Sequence, residues 1–225
     1  MTTYFVTSTG TDIGKTFVTA GLIRHLRREN RPVHALKPVV SGYDPSVVET
    51  SDPAVLLRAL GRPVSAEEIT AIAPFRYRAP LSPDLAAARE GRVLDFENLV
   101  AFTHDTVGAT DGILFVEGVG GIMVPLDAQH TVLDWMAALR LPVLLIVGGY
   151  LGTISHTLTA LDVLTRQGLA LKAIVVSEGE RDAVPLEDTV ASIARFAGRT
   201  PVVALPRLPG GLVEHPAFAQ LAALL

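Results

Sequence analysis

The residues with the clearest chemical potential form a glycine-containing loop near the N-terminus, Thr9-Gly10-Thr11-Asp12-Ile13-Gly14-Lys15-Thr16. The loop follows a predicted strand and opens a predicted helix, so backbone N–H groups and the positive end of the helix dipole face an anion. Gly14 permits close backbone approach, Lys15 can reach β- and γ-phosphates, and the Thr16 hydroxyl can ligate Mg²⁺. The match to the pattern G-x-x-x-x-G-K-[ST] is imperfect, because Thr9 stands at the first glycine position. A plain strand–helix turn is the alternative, and the strand–loop–helix context favours nucleotide binding.

Two more strand ends carry charged residues. Lys37 lies in Leu36-Lys37-Pro38-Val39-Val40-Ser41-Gly42, and Glu117 lies in Phe115-Val116-Glu117-Gly118-Val119-Gly120-Gly121. Ligands of open α/β sheets sit beyond the carboxyl ends of the strands, so both side chains are expected in that crevice. A carboxylate there can hold Mg²⁺. The alternative for Lys37 is a solvated surface lysine, and the alternative for the Glu117 segment is a strand end followed by a flexible turn. Together with the loop, the two residues indicate one site.

Two other segments are ambiguous. Asp52 in Ser51-Asp52-Pro53 is either the N-cap of a helix or a metal ligand. The segment from Gly148 to His156 follows a buried strand and is expected to form another crevice loop. We interpret His156 as a capping or packing residue and assign it no chemistry.

The elements that position these residues alternate between short β-rich runs and longer helical patterns, which is typical of a parallel sheet covered by helices. The fold class predicted is a three-layer α/β/α structure with a mostly parallel central sheet, of the P-loop NTPase type, in a single domain over residues 1–225. The stretch Tyr43–Pro80 is interpreted as an elaborated connection. The predicted strands are Tyr4–Thr7, Val33–Lys37, Ile113–Val116, Val143–Val147, Ala173–Ser177 and Val202–Leu205. The predicted helices are Lys15–Arg28, Pro53–Leu60, Ser82–Glu90, Phe96–Val107, Val132–Leu139, Ile154–Gln167, Leu186–Phe196 and a terminal helix at Pro216–Leu225.

Composition narrows the classes of function. The 225 residues are 49% hydrophobic and 19% charged, which suits a compact globular protein. A net charge of −4 argues against a nucleic-acid partner. The absence of cysteine excludes disulfides and thiolate chemistry and fits the cytoplasm. The most apolar run, Leu141–Val147, is far shorter than the roughly 20 residues of a membrane span, so no membrane partner is expected.

Taken together, the motifs resemble those of dethiobiotin synthetases. The resemblance runs from the N-terminus to about residue 176 and covers the loop Thr11–Thr16, Lys37–Gly42, Ser51-Asp52, Val116–Gly121 and Leu151–His156. It also covers Ala79-Pro80-Leu81-Ser82-Pro83 and Glu90-Gly91-Arg92. This chain departs from the family at Ser8, where glycine is usual. It departs again at Ser177-Glu178, where better-known members carry an Asn-Asp pair that reads the adenine.

The resemblance implies closure of a cyclic urea on 7,8-diaminopelargonate with CO₂ and ATP, with Mg²⁺, in a homodimer whose subunits both contact the substrate. It implies catalytic roles for Lys37, Lys15 and Thr11, and metal ligation by Thr16, Asp52 and Glu117. The implied substrate-binding residues are Ser41, Gly152, Thr153, Ile154 and Ser155. The implied nucleotide-binding residues are Gly10, Thr11, Asp12, Ile13, Gly14, Lys15, Thr16, Phe17, Glu117, Gly118, Val119, Gly120, Ser177, Pro206, Arg207 and Leu208.

Three alternatives stay open from the residues alone. A regulatory or partition-type P-loop ATPase would hydrolyse the nucleotide without a small substrate, and such proteins commonly carry an extra lysine early in the loop, which Ser8-Thr9-Gly10 lacks. A P-loop ligase acting on another small carboxylate would share the loop motifs. A non-catalytic binding module would leave Lys37 and Glu117 without a purpose.

Overall fold

A computed structural model describes residues 2–180, 182–208 and 214–225. The strands are β1 (Thr2–Ser8), β2 (Val33–Leu36), β3 (Val39–Ser41), β4 (Phe75–Tyr77), β5 (Ile113–Glu117), β6 (Val143–Val147), β7 (Leu171–Ser177) and β8 (Val202–Leu205). The helices are α1 (Lys15–Arg28), α2 (Asp52–Leu60), α3 (Ala66–Ile72), α4 (Pro83–Arg89), α5 (Phe96–Ala109), α6 (Val132–Leu139), α7 (Thr153–Arg166), α8 (Leu186–Ala194) and α9 (Pro216–Leu224).

Six strands form the central sheet in the order β2-β5-β1-β6-β7-β8, and each of these pairings is parallel. Every residue of β5 and β6 is buried, as expected for strands whose two faces are both covered by helices. The predicted three-layer fold with a mostly parallel sheet is confirmed. Val6 pairs with Glu117 and Leu36 pairs with Val116, so β1, β2 and β5 end at one edge of the sheet.

The helices pack in groups around this sheet. Helix α1 contacts α2 and α9, α5 contacts α6, and α7 contacts α8. The terminal helix predicted at Pro216–Leu225 is present as α9. It docks closely, because a Cβ atom on Gly21 would lie 2.2 Å from the Phe218 ring. The Tyr4 hydroxyl donates to the Leu225 carbonyl oxygen at 2.6 Å, which ties the chain end to the first strand.

The stretch Tyr43–Pro80 is more structured than the sequence predicts. It adds a 3-10 helix at Pro45–Thr50, helix α3 and strand β4, and β4 pairs in parallel with β3 in a separate two-stranded sheet. Strands β3 and β4 escape prediction because a strand of three residues is too short to show an alternating pattern. The prediction that β2 includes Lys37 is also wrong, since the Lys37 N–H donates to the Ile72 carbonyl at 3.0 Å instead of to the sheet.

Among residues 2–180, 182–208 and 214–225, every helix is too short or too polar to cross a lipid bilayer.

Candidate active site

The loop between β1 and α1 is shaped by two residues with left-handed backbone conformations, Asp12 at φ 56° and Gly14 at φ 96°. Gly14 precedes the first turn of α1, and a Cβ atom there would lie 3.0 Å from the Ser177 hydroxyl oxygen. Both the positive φ and the close contact therefore favour glycine. The loop places the N-terminus of α1 toward the open edge of the sheet, where an anion is stabilised by unpaired N–H groups.

Lys15 is buried, and its Nζ donates to Ser8 Oγ at 3.0 Å and to the Gly10 carbonyl at 3.1 Å. Burial and, to a smaller extent, the neighbouring charge of Lys37 lower the pKa of this ammonium to about 8, against the opposing effect of nearby carboxylates such as Glu117. A desolvated cation of this kind is stabilised by a nearby anion. The environment of Lys15 therefore suits a phosphate group.

Lys37 is held between carboxylates directly beyond β2. Its Nζ donates to Glu117 Oε1 and to the Gly118 carbonyl, both at 2.8 Å, and lies 3.2 Å from Asp52 Oδ2. Burial opposes the charged form most strongly, but the charges of Glu117 and Asp52 together outweigh burial and raise the Lys37 pKa. Lys37 thus remains an ammonium ion in a fully buried position.

One carboxylate oxygen of the acidic residues in the site has no hydrogen-bond partner in the described part of the chain. Glu117 is fully buried; its Oε1 accepts from Thr16 Oγ1 at 2.6 Å, whereas its Oε2 has no hydrogen-bond partner within the described ranges. Burial would raise the Asp52 pKa, but the charge of Lys37 and hydrogen bonds from Lys37 and Thr16 outweigh it and hold that pKa low. The carboxylate oxygens of Glu117 and Asp52 and the hydroxyl of Thr16 are hard oxygen ligands, so these residues fit Mg²⁺.

The structure contradicts one of the two interpretations of Asp52, the helix N-cap. The N-cap of α2 is Ser51, whose hydroxyl accepts from the Ala54 N–H at 3.4 Å. Asp52 is the first helical residue, and its carboxylate reaches Lys37 instead of the helix terminus. The capping interpretation of Asp52 is therefore wrong. No group of three or more His, Cys, Asp or Glu residues that could hold a metal occurs in the described ranges, so a cation here would need ligands from phosphate or water as well.

Two cavities meet at the phosphate loop and share Thr11–Gly14 and Phe17 as lining. One, of about 730 Å³, is lined by both Lys15 and Lys37 and also contains Ser41, whose Oγ is buried without a partner in the described part of the chain. The other, of about 860 Å³, has neither Lys15 nor Lys37 in its lining. Its lining contains the residues predicted for the base side, Ser177, Pro206, Arg207 and Leu208, together with Glu178, Gly179, Glu180 and Asp182. The sequence analysis assigns no site role to Glu178, Gly179, Glu180 or Asp182, and it names Glu178 only as a departure from the family's Asn-Asp pair.

The segment 152–155, predicted to bind substrate, lies at the start of α7. Gly152 has φ 97° at the N-cap of α7, and Thr153 is buried with its hydroxyl donating to the Gly148 carbonyl at 2.7 Å. Ile154 packs against the core, and Ser155 is exposed. Neither cavity at the phosphate loop has any of these four residues in its lining.

The capping role expected for His156 is wrong, because the N-cap of α7 is Gly152. The His156 Nδ1 lies 2.8 Å from the Tyr150 hydroxyl. His156 lines a third cavity of about 430 Å³, with Thr9, Gly10, Thr11, Gly121, Ile122, Met123, Val124, Thr159, Ala160 and Val163. Thr11 lines all three cavities, so the phosphate loop is their common boundary.

A parallel sheet, a phosphate loop between its first strand and helix, and an acidic residue at the end of the neighbouring strand define a P-loop nucleotide-binding protein. Residues 2–211 match a family model described as an AAA domain. An ATP-dependent dethiobiotin synthetase of Acidiphilium cryptum is 50% identical over 202 residues, covering 89% of this chain and 91% of that protein. One of Methylobacterium nodulans is 50% identical over 204 residues, covering 88% and 90%. The chain belongs to the dethiobiotin synthetase family.

Solved structures agree on the fold. The cell division ATPase MinD of Pyrococcus furiosus superimposes with a TM-score of 0.61 over 100% of this chain and 98% of that chain. Its sequence identity is 21%, so the likeness concerns the fold alone.

Proposed function

We propose that this enzyme closes the cyclic urea ring of dethiobiotin from 7,8-diaminopelargonate and CO₂ at the expense of ATP, in the cytoplasm. One observation carries the proposal beyond family membership. Lys15 and Lys37 line one cavity of about 730 Å³, and Thr16 and Asp52 belong to the same lining. Glu117 is hydrogen-bonded to both Thr16 and Lys37.

The reaction needs strong charge neutralisation. One amine adds to CO₂ and loses a proton to give a carbamate, whose oxygen attacks the γ-phosphate and releases ADP. The second amine then attacks the carbamic–phosphoric anhydride and displaces phosphate. Two unit charges 4 Å apart repel by about 4 kcal/mol at an effective dielectric near 20, and the carbamate meets several phosphate charges. Positioned cations in a water-excluded cavity offset this repulsion.

The two lysines neutralise different negative groups. Lys15, the loop N–H groups and Thr11 bind the phosphates of ATP, and Lys37 binds the carbamate and the transferring phosphoryl group. Lys37 has three protons and three protein acceptors, so it must exchange one of them to reach the substrate. The contact with Asp52 is the longest, at 3.2 Å, and the Asp52 side chain is 47% exposed, so this contact is the one exchanged.

Thr16, Asp52 and Glu117 would hold Mg²⁺, which supplies charge neutralisation on the phosphate oxygens when it is bound. The unpartnered Glu117 Oε2 supports this assignment, because a fully buried carboxylate oxygen is stabilised by a ligand. Glu117 also orients the side chains of Lys37 and Thr16 through its hydrogen bonds. The Ser41 hydroxyl, which has no partner among the described residues, binds the carbamate or its amine.

We place the adenine between the Ser177 end of β7 and the segment Pro206–Leu208, in the 860 Å³ cavity. We further propose a homodimer in which segment 152–155 contacts the diamine across the interface. Its support is apolar surface near that segment: Leu151 is 82% exposed, and Met123, in the lining of the 430 Å³ cavity, is 56% exposed.

A phosphate-release assay tests the function. With ATP and Mg²⁺ present, release should require both the diamine and bicarbonate, and omitting either should reduce it to background. Mass spectrometry should detect dethiobiotin in the complete mixture. Release that continues undiminished without the diamine would refute the proposal and favour a nucleotide switch of the partition type.

A further inference from the structure

Ser8, the last residue of β1, has a hydroxyl that is fully engaged in hydrogen bonds. The residue has no exposed surface. Its Oγ accepts from Lys15 Nζ at 3.0 Å and from the Gly10 N–H at 3.3 Å. Its single proton has two carbonyl acceptors within reach, Gly10 at 2.5 Å and Gly120 at 3.0 Å. A hydroxyl has one donor and two acceptor sites, so all of its capacity is used.

These bonds join two loops that come from different strands. Gly10 and Lys15 belong to the phosphate loop, whereas Gly120 belongs to the loop that follows Glu117 at the end of β5. The Ile122 N–H donates to the Ser8 carbonyl at 3.1 Å, so main chain and side chain of Ser8 both hold the second loop. A Cβ atom on Gly121 would lie 3.1 Å from the carbonyl of Thr9, which shows how closely the loops pack.

The neighbouring residue provides a contrast. Thr7 is also fully buried in β1, but its hydroxyl has no hydrogen-bond partner among the described residues. A buried hydroxyl on this strand therefore does not by itself imply a role in the site. Ser8 differs because its partners are the phosphate-binding lysine and the backbone of both loops.

We propose that Ser8 is a positioning residue for nucleotide phosphates, acting through Lys15 and the Gly10 amide. Its hydroxyl keeps the ammonium and the loop N–H in place before the nucleotide arrives, so that binding does not have to order them. This inference rests on one part of the proposed function, the binding of ATP at the phosphate loop. It does not depend on the identity of the second substrate.

The test compares Ser8→Ala with Thr7→Val as the matched control, using isothermal titration calorimetry with ATP and Mg²⁺. Ser8→Ala should raise the Kd for ATP about tenfold, since it removes hydrogen bonds to a charged group and to a backbone amide. The KM for ATP should rise by a similar factor while kcat at saturating ATP stays within about twofold, because ground-state and transition-state binding are lost equally. Thr7→Val should leave the Kd unchanged.

A double-mutant cycle shows whether Ser8 acts through Lys15. In a Lys15→Ala background, Ser8→Ala should weaken ATP binding by less than about threefold, because the coupled partner is gone. Melting temperatures of all variants separate loss of the fold from loss of positioning. Should Ser8→Ala not fold, Ser8→Gly removes the same hydroxyl and should show the same loss.

Wild-type affinity in the folded Ser8 variant would overturn the inference. An equal loss in the control, or an undiminished effect in the Lys15→Ala background, would overturn it as well. If instead the wild-type protein binds ATP but does not respond to the diamine, the proposed function fails and the role of Ser8 is still decided by these titrations.

Discussion

Replacing Lys37 by alanine removes the only cation in direct contact with Glu117 in the described structure, so it should affect both catalysis and stability. If Lys37 stabilises the carbamate and the transferring phosphoryl group, its loss resembles the loss of an oxyanion donor. That loss corresponds to roughly 2.7–4 kcal/mol, or about 10²–10³-fold in kcat. A group that acts mainly in the transition state should lower kcat and kcat/KM together.

The same substitution leaves Glu117 buried with Thr16 as its remaining side-chain partner. Removing one partner of a buried ion pair typically destabilises a protein by about 3–5 kcal/mol, unless the carboxyl group is protonated. Lys37→Arg is therefore a necessary companion variant, because it keeps a positive charge beside Glu117 while misplacing it relative to the substrate. It should fold more stably than Lys37→Ala and still turn over at least about tenfold more slowly than the wild type.

The assay is phosphate release at saturating ATP, diamine and bicarbonate, together with thermal unfolding of each variant. Lys172→Ala is the matched control: Lys172 is half-buried in β7, close to the strand's start and far along it from Ser177. A folded Lys37→Ala protein with near-normal turnover would refute the reasoning and remove Lys37 from the mechanism.

Three further predictions concern single side chains. Glu117→Gln should raise the Mg²⁺ concentration for half-maximal activity at least about tenfold, measured by metal titration, and an unchanged titration would exclude Glu117 as a ligand. Ser41→Ala should raise the KM for the diamine about fivefold without lowering the melting temperature, because its buried hydroxyl has no protein partner to lose in the described structure. Burial would raise the Asp127 pKa, but hydrogen bonds from the N–H of Gln129 and from the N–H and ring of His130 outweigh it and hold that pKa low. Asp127 therefore stabilises the fold above its unfolded pKa of about 3.9, and this contribution is lost as pH falls through the folded pKa. Urea unfolding should show Asp127→Asn about 1 kcal/mol less stable than wild type at pH 7, with a smaller deficit at pH 3, and an equal deficit at both pH values would contradict the explanation.

Sequence reasoning worked best where the signal is local. The central strands and α1 carry long apolar patterns, and a glycine–lysine–threonine turn between them has one well-known structural context. It worked less well between residues 43 and 80, where β3 and β4 are only three residues each. Those strands are stabilised by pairing with each other, and an isolated run of three residues carries no periodicity to show it.

The sequence by itself determined the class of fold, the family and the identity of the charged residues at the strand ends. All of these follow from short motifs and from the spacing of apolar residues along the chain. Only the tertiary structure decided which of those residues touch. Ser51 caps α2, and the Asp52 carboxylate instead forms an ion pair with Lys37. The Ser8 hydroxyl, beside the phosphate loop, donates a hydrogen bond to the Gly120 carbonyl. The partners in these last two contacts are far apart along the chain. Their distances are set by strand register and helix packing, and no local pattern of residue types encodes them.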